Sequence, residues 1–472
     1  MTDPHTTGAT SGHGPGTASR LAHSRVAVAA IIGLAAVLRL INADADLWYD
    51  EIVTVTYFVR TPFLTVVSTY GLANNHVLNS VLMNVTGTLF GTDVWMLRLP
   101  AILFGIAGVW AFWFLATQIW PRPPALLGTL LFAVSYHHVY YSQNARGYSA
   151  FMFFTLLATG FLLRMLERGK TALRRDEIGY SLALALGLYS VLLTTFVVAA
   201  HASVLLALRR WRALAWLAAG VAVAVVLYGP MGVPLIAYYR TNPGDTGYPL
   251  LSMEFARAMA PVASVLLAAG ALLLPIVWRL ARRQPVAAAL LLTPALFNVL
   301  MPLVRGQGVY PRSFLYLLCL GYLLLVEALD WAMSRRPRLA WACTAIVIAV
   351  SLAKLAPYYR LPKQGFKQAL AYVEQHARPS DQRVGLTLGG KAARFYDPTV
   401  LLVEDGRQLQ ALTSRPDRPA WVLTTFHNAL RSSAPDLYAW LRTETSQQAE
   451  FAGVIGDGTV YVHYWPGSKR VP

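Results

Sequence analysis

His76-Val77-Leu78-Asn79-Ser80-Val81-Leu82-Met83-Asn84-Val85-Thr86-Gly87-Thr88-Leu89-Phe90 is the stretch on which the topology of this chain turns. It is apolar enough to suggest a membrane crossing, yet a span needs about twenty apolar residues. This run is shorter, and Asn79, Asn84, Thr86 and Gly87 interrupt it. Read as a helix lying on the membrane surface, with a second such helix over residues 51–60, it leaves the polar segment 42–96 on one side.

The chain around it is 56% hydrophobic and only 13% charged, with a positive mean hydropathy, which is beyond the range of a soluble globular protein. Apolar runs predict spans near 26–41, 97–118, 124–141, 148–163, 178–190, 194–208, 213–230, 262–276, 286–304, 314–333 and 339–353, eleven in all. Basic residues test that count, because cytoplasmic loops collect Lys and Arg. Arg122, then Arg164, Arg168, Lys170, Arg174 and Arg175, then Arg209, Arg210 and Arg212 fall on one side. Arg279, Arg282, Arg283, Arg335, Arg336 and Arg338 join them. The opposite loops hold only Arg60, Arg98, Arg146, Arg240, Arg257, Arg305 and Arg312 before the C-terminal tail. The sorting would scramble if residues 76–90 crossed.

The expected organisation is therefore a disordered cytoplasmic tail over 1–24, rich in Gly, Ser, Thr, Pro and His. A transmembrane domain follows over 25–355, opened by an uncleaved signal anchor and carrying a first outer loop over 42–96. Residues 356–472 change character: 366–376 has helical spacing, while 384–388, 421–426 and 459–465 read as strands. The fold class is all-α polytopic with a small extracytoplasmic α/β domain. Nucleic-acid binding is excluded as an expectation, since the 40 Lys and Arg form no long basic stretch interleaved with aromatics. Cys319 and Cys343 lie in apolar runs with no metal-ligand spacing.

The unusual polar residues gather in the outer loops. In Leu47-Trp48-Tyr49-Asp50-Glu51-Ile52, an acidic pair follows two aromatics suited to the headgroup level. Charged groups on the rim of a bilayer are costly, so the pair is a candidate catalytic site; the plainer reading is two solvated carboxylates at a helix N-terminus. In Tyr140-Tyr141-Ser142-Gln143-Asn144-Ala145-Arg146-Gly147-Tyr148, Arg146 can grip a phosphate bidentately, or simply anchor a helix end at the headgroups. Arg305-Gly306-Gln307-Gly308-Val309-Tyr310-Pro311-Arg312 again places Arg305 and Arg312 where the membrane begins, with glycines that admit a ligand to the backbone. His76 reads as a ligand contact or a helix cap. His137 and His138 read as interfacial, and His201 as a hydrogen-bonded packing residue. No nucleotide loop, zinc pattern or serine elbow appears, no cofactor is implied, and no ligand spacing supports a divalent metal.

The order of these features resembles the membrane glycosyltransferases of the GT-C superfamily, in particular the protein mannosyltransferase and aminoarabinose transferase type, glycosyltransferase family 39. The resemblance is carried by the acidic pair, Asn75-His76-Val77-Leu78-Asn79, Leu89-Phe90-Gly91, the run Leu97-Arg98-Leu99-Pro100-Ala101-Ile102-Leu103-Phe104-Gly105, and the loop ending at Arg146-Gly147-Tyr148. Tyr310-Pro311-Arg312-Ser313-Phe314 and Lys363-Gln364-Gly365-Phe366 extend it, so that it covers about residues 28–396. Where members commonly carry His-Pro-Pro, this chain has His76-Val77-Leu78. The resemblance implies a GT-C transmembrane domain in the plasma membrane, a polyprenyl-phosphate sugar donor, and a glycan, lipid or protein acceptor. It makes Asp50 the catalytic base, Glu51 its acidic companion and Arg146 a ligand-site residue, with Arg312, Arg305, His76 and Tyr148 as further contacts to donor phosphate or substrate. An acceptor hydroxyl attacking an anomeric carbon benefits from a carboxylate that takes its proton, and a departing phosphate from fixed cations; inversion follows from direct displacement. The competing expectation is a transporter or flippase of lipid-linked saccharides, which wants midplane ionisable residues and repeated halves. Neither is visible, and Glu327 and Asp330 lie toward the cytoplasmic end of their span.

Overall fold

The computed structural model describes residues 15–72, 75–242, 248–249, 253, 270, 273–305, 308–309, 311–414 and 418–467. Residues 1–14 and most of the span expected over 262–276 lie outside these. Helix α1 (Pro15–Leu40) starts ahead of the expected boundary at residue 25, in a stretch with neither Gly nor Pro between Thr17 and Ile32. The polar segment then folds as α2 (Tyr49–Thr54), which runs into a π-helical turn (Val55–Val59), then α3 (Phe63–Ser68) and α4 (Val77–Phe90). With its 14 residues α4 rises about 21 Å, short of the roughly 30 Å hydrocarbon layer. Asn84 ties it down by donating to the Val59 and Thr61 carbonyls, 2.9 Å each.

The helical body continues through α5 (Val94–Ile119), α6 (Arg122–Ala133), α7 (Tyr136–Ser142), α8 (Tyr148–Arg168), α9 (Arg174–Ser190), α10 (Thr194–Ala207), α11 (Trp211–Tyr228) and α12 (Gly232–Thr241). After residues 273–283, the described part of α13, come α14 (Pro285–Arg305), α15 (Leu315–Arg335) and α16 (Pro337–Arg360). Strand β1 (Tyr248–Pro249) pairs antiparallel with β2 (Gly308–Val309). Six helical stretches among the described residues are long and apolar enough to cross a membrane: Val94–Ile119, Tyr148–Thr171, Trp211–Thr241, Pro285–Val304, Arg312–Arg335 and Pro337–Arg360.

One expected span is broken. Residues 124–141 do not form a single helix: α6 stops at Ala133, and the Ser135 hydroxyl accepts the His138 N–H (3.4 Å) to start α7. The break is stabilised from outside. Arg39, fully buried at the end of α1, donates to the Ala133 carbonyl (3.2 Å), to Ser142 Oγ (3.2 Å) and to His138 Nδ1 (2.6 Å). His138 is thus buried and stacked on Phe132 rather than interfacial as expected, because it completes this buried arginine's bonds. His201 is the packing residue expected, within reach of Tyr180 and Thr159.

The C-terminal domain contains α17 (Phe366–His376), β3 (Gln382–Leu386), α18 (Thr387–Tyr396), β4 (Leu401–Val403), α19 (Gly406–Thr413), β5 (Ala420–Thr424), α20 (His427–Ser433), α21 (Pro435–Glu444), β6 (Ser446–Phe451) and β7 (Val460–Trp465). Its sheet has the order β4-β3-β5-β7-β6, parallel over β4, β3 and β5 and antiparallel beyond. One face packs Val384, Val422 and Leu441 together. The core behind the other face joins Phe366, Val373 and Leu423 to Leu47, Ile52 and Leu97, so the first loop and the C-terminal domain share one apolar core.

Candidate active site

Arg98, near the start of α5, supports the site. It is 1% exposed, and all its donors are used: Nε and Nη2 grip Glu51 (2.9 and 2.8 Å), while Nη1 and Nη2 take the carbonyls of Ala43, Ala45 and Asp46. A buried guanidinium needs such completeness, since an unused donor there is costly. Glu51 is fully buried and accepts in addition from Ala145 N–H (2.7 Å), Trp48 N–H (3.3 Å) and Lys363 Nζ (3.3 Å). Burial alone would raise its pKa, but the charges of Arg98 and Lys363 overturn that and hold it at about 2. Burial first, then the nearby Arg98, lower the Lys363 pKa as well, to about 7. Glu51 therefore faces inward and fixes α2, while its neighbour Asp50 faces the other way.

Asp50 is nearly buried, at 9% exposure. Two guanidiniums meet its Oδ2: Arg312 Nη1 at 3.0 Å and Arg146 Nη1 at 3.5 Å. Neither carboxylate of the pair is the solvated surface acid of the plainer reading. Arg146 is only 2% exposed, so it is no headgroup anchor; its Nη2 reaches Tyr148 OH (3.3 Å) and its Nη1 the Asp50 carbonyl (3.4 Å). Arg312 sits on the 3-10 turn Pro311–Phe314, whose Ser313 carbonyl accepts from Asn298 Nδ2 (3.1 Å).

His76 completes the group. It makes no helix-capping bond; its Nδ1 accepts the Gly147 N–H (2.8 Å), which assigns the proton of the neutral ring to Nε2. Burial first, then Arg146 and Arg312, hold its pKa well below the usual histidine value, so the ring is neutral. Nε2–H and Arg146 Nη2 lie 3.4 Å apart. Both are donors, so they do not bond each other, and an oxygen anion is the kind of group that could accept from both. Tyr148 packs edge-on against His76 at 4.7 Å and under the Arg146 guanidinium at 5.4 Å.

Asp50, Arg146, His76, Tyr148 and Arg312 thus converge from four separate stretches. The Arg305 side chain, Gly306, Gln307 and Tyr310 lie outside the described residues, as does Asn74. Sequence reading missed the supports. Arg98 enters the sequence reading only as a loop charge and a motif position, and Gln364 only by its motif; Gln364 Oε1 accepts the Tyr49 N–H (2.7 Å). Asn144 holds Trp48 Nε1 at 2.7 Å. Among the described residues, no three His, Cys, Asp or Glu side chains gather where a metal ion could be held.

With one carboxylate against two guanidiniums at its mouth, the site carries excess positive charge beside a potential base. Residues 77–233 match the family described as dolichyl-phosphate-mannose-protein mannosyltransferase. No curated protein sequence matches the chain. Among solved structures, ArnT from Cupriavidus metallidurans bound to undecaprenyl phosphate is similar with a TM-score of 0.58 at 16% identity, over 93% of this chain and 97% of that one. The archaeal oligosaccharyltransferase AglB from Archaeoglobus fulgidus, in complex with an inhibitory peptide and a dolichol-phosphate, has a TM-score of 0.56 at 11% identity, over 96% of this chain and 75% of that one. The chain is a membrane protein with the GT-C glycosyltransferase fold.

Proposed function

We propose that this protein transfers a sugar from a polyprenyl-phosphate donor to an acceptor hydroxyl by a single inverting displacement, with Asp50 as the general base. The observation that carries the reading is the sharing of Asp50 Oδ2 by Arg146 and Arg312. An arriving donor phosphate offers these guanidiniums a second oxygen anion, with His76 Nε2–H beside them. As the cations turn to the phosphate, Asp50 Oδ2 becomes available to the acceptor. The acceptor oxygen then bonds to the anomeric carbon as the bond from that carbon to the phosphate oxygen breaks. The acceptor's proton passes to Asp50, and the polyprenyl phosphate leaves with the electron pair, its charge met by Arg146 and Arg312.

Glu51 acts as a positioning residue: locked by Arg98, it sets the direction of α2 and so of Asp50. Sorting of basic residues supports an outward-facing site and C-terminal domain in the plasma membrane. The isoprenoid tail would lie in lipid between helices, with its sugar at the interface and the C-terminal domain over the acceptor.

The test is transfer from a panel of polyprenyl-phosphate sugars to envelope acceptors by the purified protein. Transfer from one donor, with inverted anomeric configuration and release of polyprenyl phosphate, is expected. Tight binding of a lipid-linked saccharide with neither transfer nor hydrolysis from any donor would replace this reading with transport.

A further inference from the structure

The turn between α10 and α11 carries Arg209 and Arg210, with Trp211 and Arg212 opening α11, and it closes against Gly169–Thr171 after α8. Arg209 takes a left-handed backbone, φ 53°, which is costly for a residue with a side chain. Its N–H and that of Arg210 return to the Leu206 and Leu205 carbonyls at 3.0 and 2.9 Å, so the turn is tight. Arg212 Nη1 donates across to the Lys170 carbonyl at 3.0 Å, tying the two loops together.

A cavity of about 240 Å³ opens there, bordered by Lys170, Arg209, Arg210 and Arg212, with Met165 and Leu166 among its apolar walls. Glu177 is the one carboxylate lining it. That carboxylate is fully buried and already meets Arg212 Nε at 2.6 Å and Arg174 Nη1 at 3.8 Å. Among the described residues, no carboxylate lies within ion-pairing distance of Lys170, Arg209 or Arg210. The cavity therefore gathers three uncompensated cations.

Its place in the molecule narrows the ligand. Helix α8 leads from Tyr148, in the Asp50 site, to Arg168 beside this cavity, and its 21 residues rise about 30 Å, the thickness of a bilayer's hydrocarbon layer. The cavity is thus at the opposite membrane face from Asp50. It opens beside Trp211, 63% exposed, at the head of α11. Few residues of the apolar stretch beginning there are buried within the protein, which leaves its surface for lipid. A free anion has no use for that flank, whereas a phospholipid fits both parts: phosphate among the cations, glycerol beside Trp211, and acyl chains along α11.

We propose that this cavity is a binding site for the headgroup of an anionic phospholipid, distinct from the donor site. The inference rests on the fold and the cavity alone and is independent of the transferase reading. Its test is native mass spectrometry of the purified full-length protein titrated with phosphatidylglycerol or phosphatidylcholine, with inorganic phosphate as competitor. Phosphatidylglycerol is expected to bind more tightly than phosphatidylcholine, and inorganic phosphate to leave it in place. Neutralising Lys170, Arg209 and Arg210 together to Gln should weaken phosphatidylglycerol by on the order of a hundredfold, at roughly fivefold per cation. The same change at Arg335, Arg336 and Arg338, on the same side of the chain, should leave that affinity unchanged. Should the first variant fail to fold, Arg210→Gln alone is expected to weaken binding several-fold. Unchanged phosphatidylglycerol affinity in the Lys170, Arg209 and Arg210 variant, equal loss in both triple variants, or displacement of the lipid by inorganic phosphate would overturn the proposal.

Discussion

Asp50 and Glu51 are adjacent acids with opposite surroundings, and that division decides what each can do. Glu51 is enclosed by Arg98 and Lys363. Replacing it with Gln would leave two buried cations without their counter-charge, a loss of about 3–5 kcal/mol of stability, to be read by chemical or thermal unfolding in detergent. Its pH dependence has a definite sign. The folded value of about 2 lies below the ordinary 4.5, so the folded state binds fewer protons between them. The stabilisation is full above the ordinary value and is lost as pH falls through about 2. Unfolding curves of the wild type and Glu51→Gln should therefore converge at acid pH; a constant gap down to pH 2 would remove Glu51 from this role. The sequence made the acidic pair legible but not its division, because adjacent residues on one helical turn are told apart only by what packs on each side. Arg98 was hidden for the same reason: its carbonyl partners, Ala43, Ala45 and Asp46, carry no signature in their side chains.

At the level of elements, the helix expected over residues 76–90 forms as α4, and its asparagines bond within the protein. Length and polarity failed at α6 and α7, where the run 124–141 reads as one span and the break depends on Ser135 and the distant Arg39. The strands expected over 384–388, 421–426 and 459–465 form as β3, β5 and β7 with shifted ends, since α18 begins already at Thr387 and β5 stops at Thr424. The three-residue β4 is too short for a periodic signal, and β6, Ser446–Phe451, is a largely polar edge strand. Helix contacts are where small residues matter. A Cβ on Gly220 of α11 would stand 2.7 Å from the Ser181 carbonyl oxygen of α9, backbone that cannot yield cheaply. Gly220→Ala should lower stability by about 1–3 kcal/mol, measured as a fall in Tm, while Gly33→Ala, in a helix interior with open space around it, should show no fall.

The whole molecule is organised by where its charge lies and by a grip across its two parts. The C-terminal domain and the segment leading into it hold four positions of the first loop: Lys367 pairs with Asp46 (2.9 Å), Tyr396 OH donates to the Leu47 carbonyl (3.1 Å), Gln364 accepts the Tyr49 N–H, and Lys363 meets Glu51. Composition and charge sorting were enough to read a helical membrane body with an appended α/β domain. This grip was not readable, because its partners are some three hundred residues apart in sequence. Gln364→Ala should speed amide hydrogen exchange over residues 47–52 and slow sugar transfer together; faster exchange without slower transfer would mean that the domain does not position Asp50. The most direct measurement is transfer from a polyprenyl-phosphate sugar by Asp50→Asn protein, with donor binding and Tm recorded alongside. Loss of transfer by a factor of 10² or more, with donor binding and folding retained, is the expected result. Full transfer by the folded variant would contradict Asp50 as the base and the mechanism built on it.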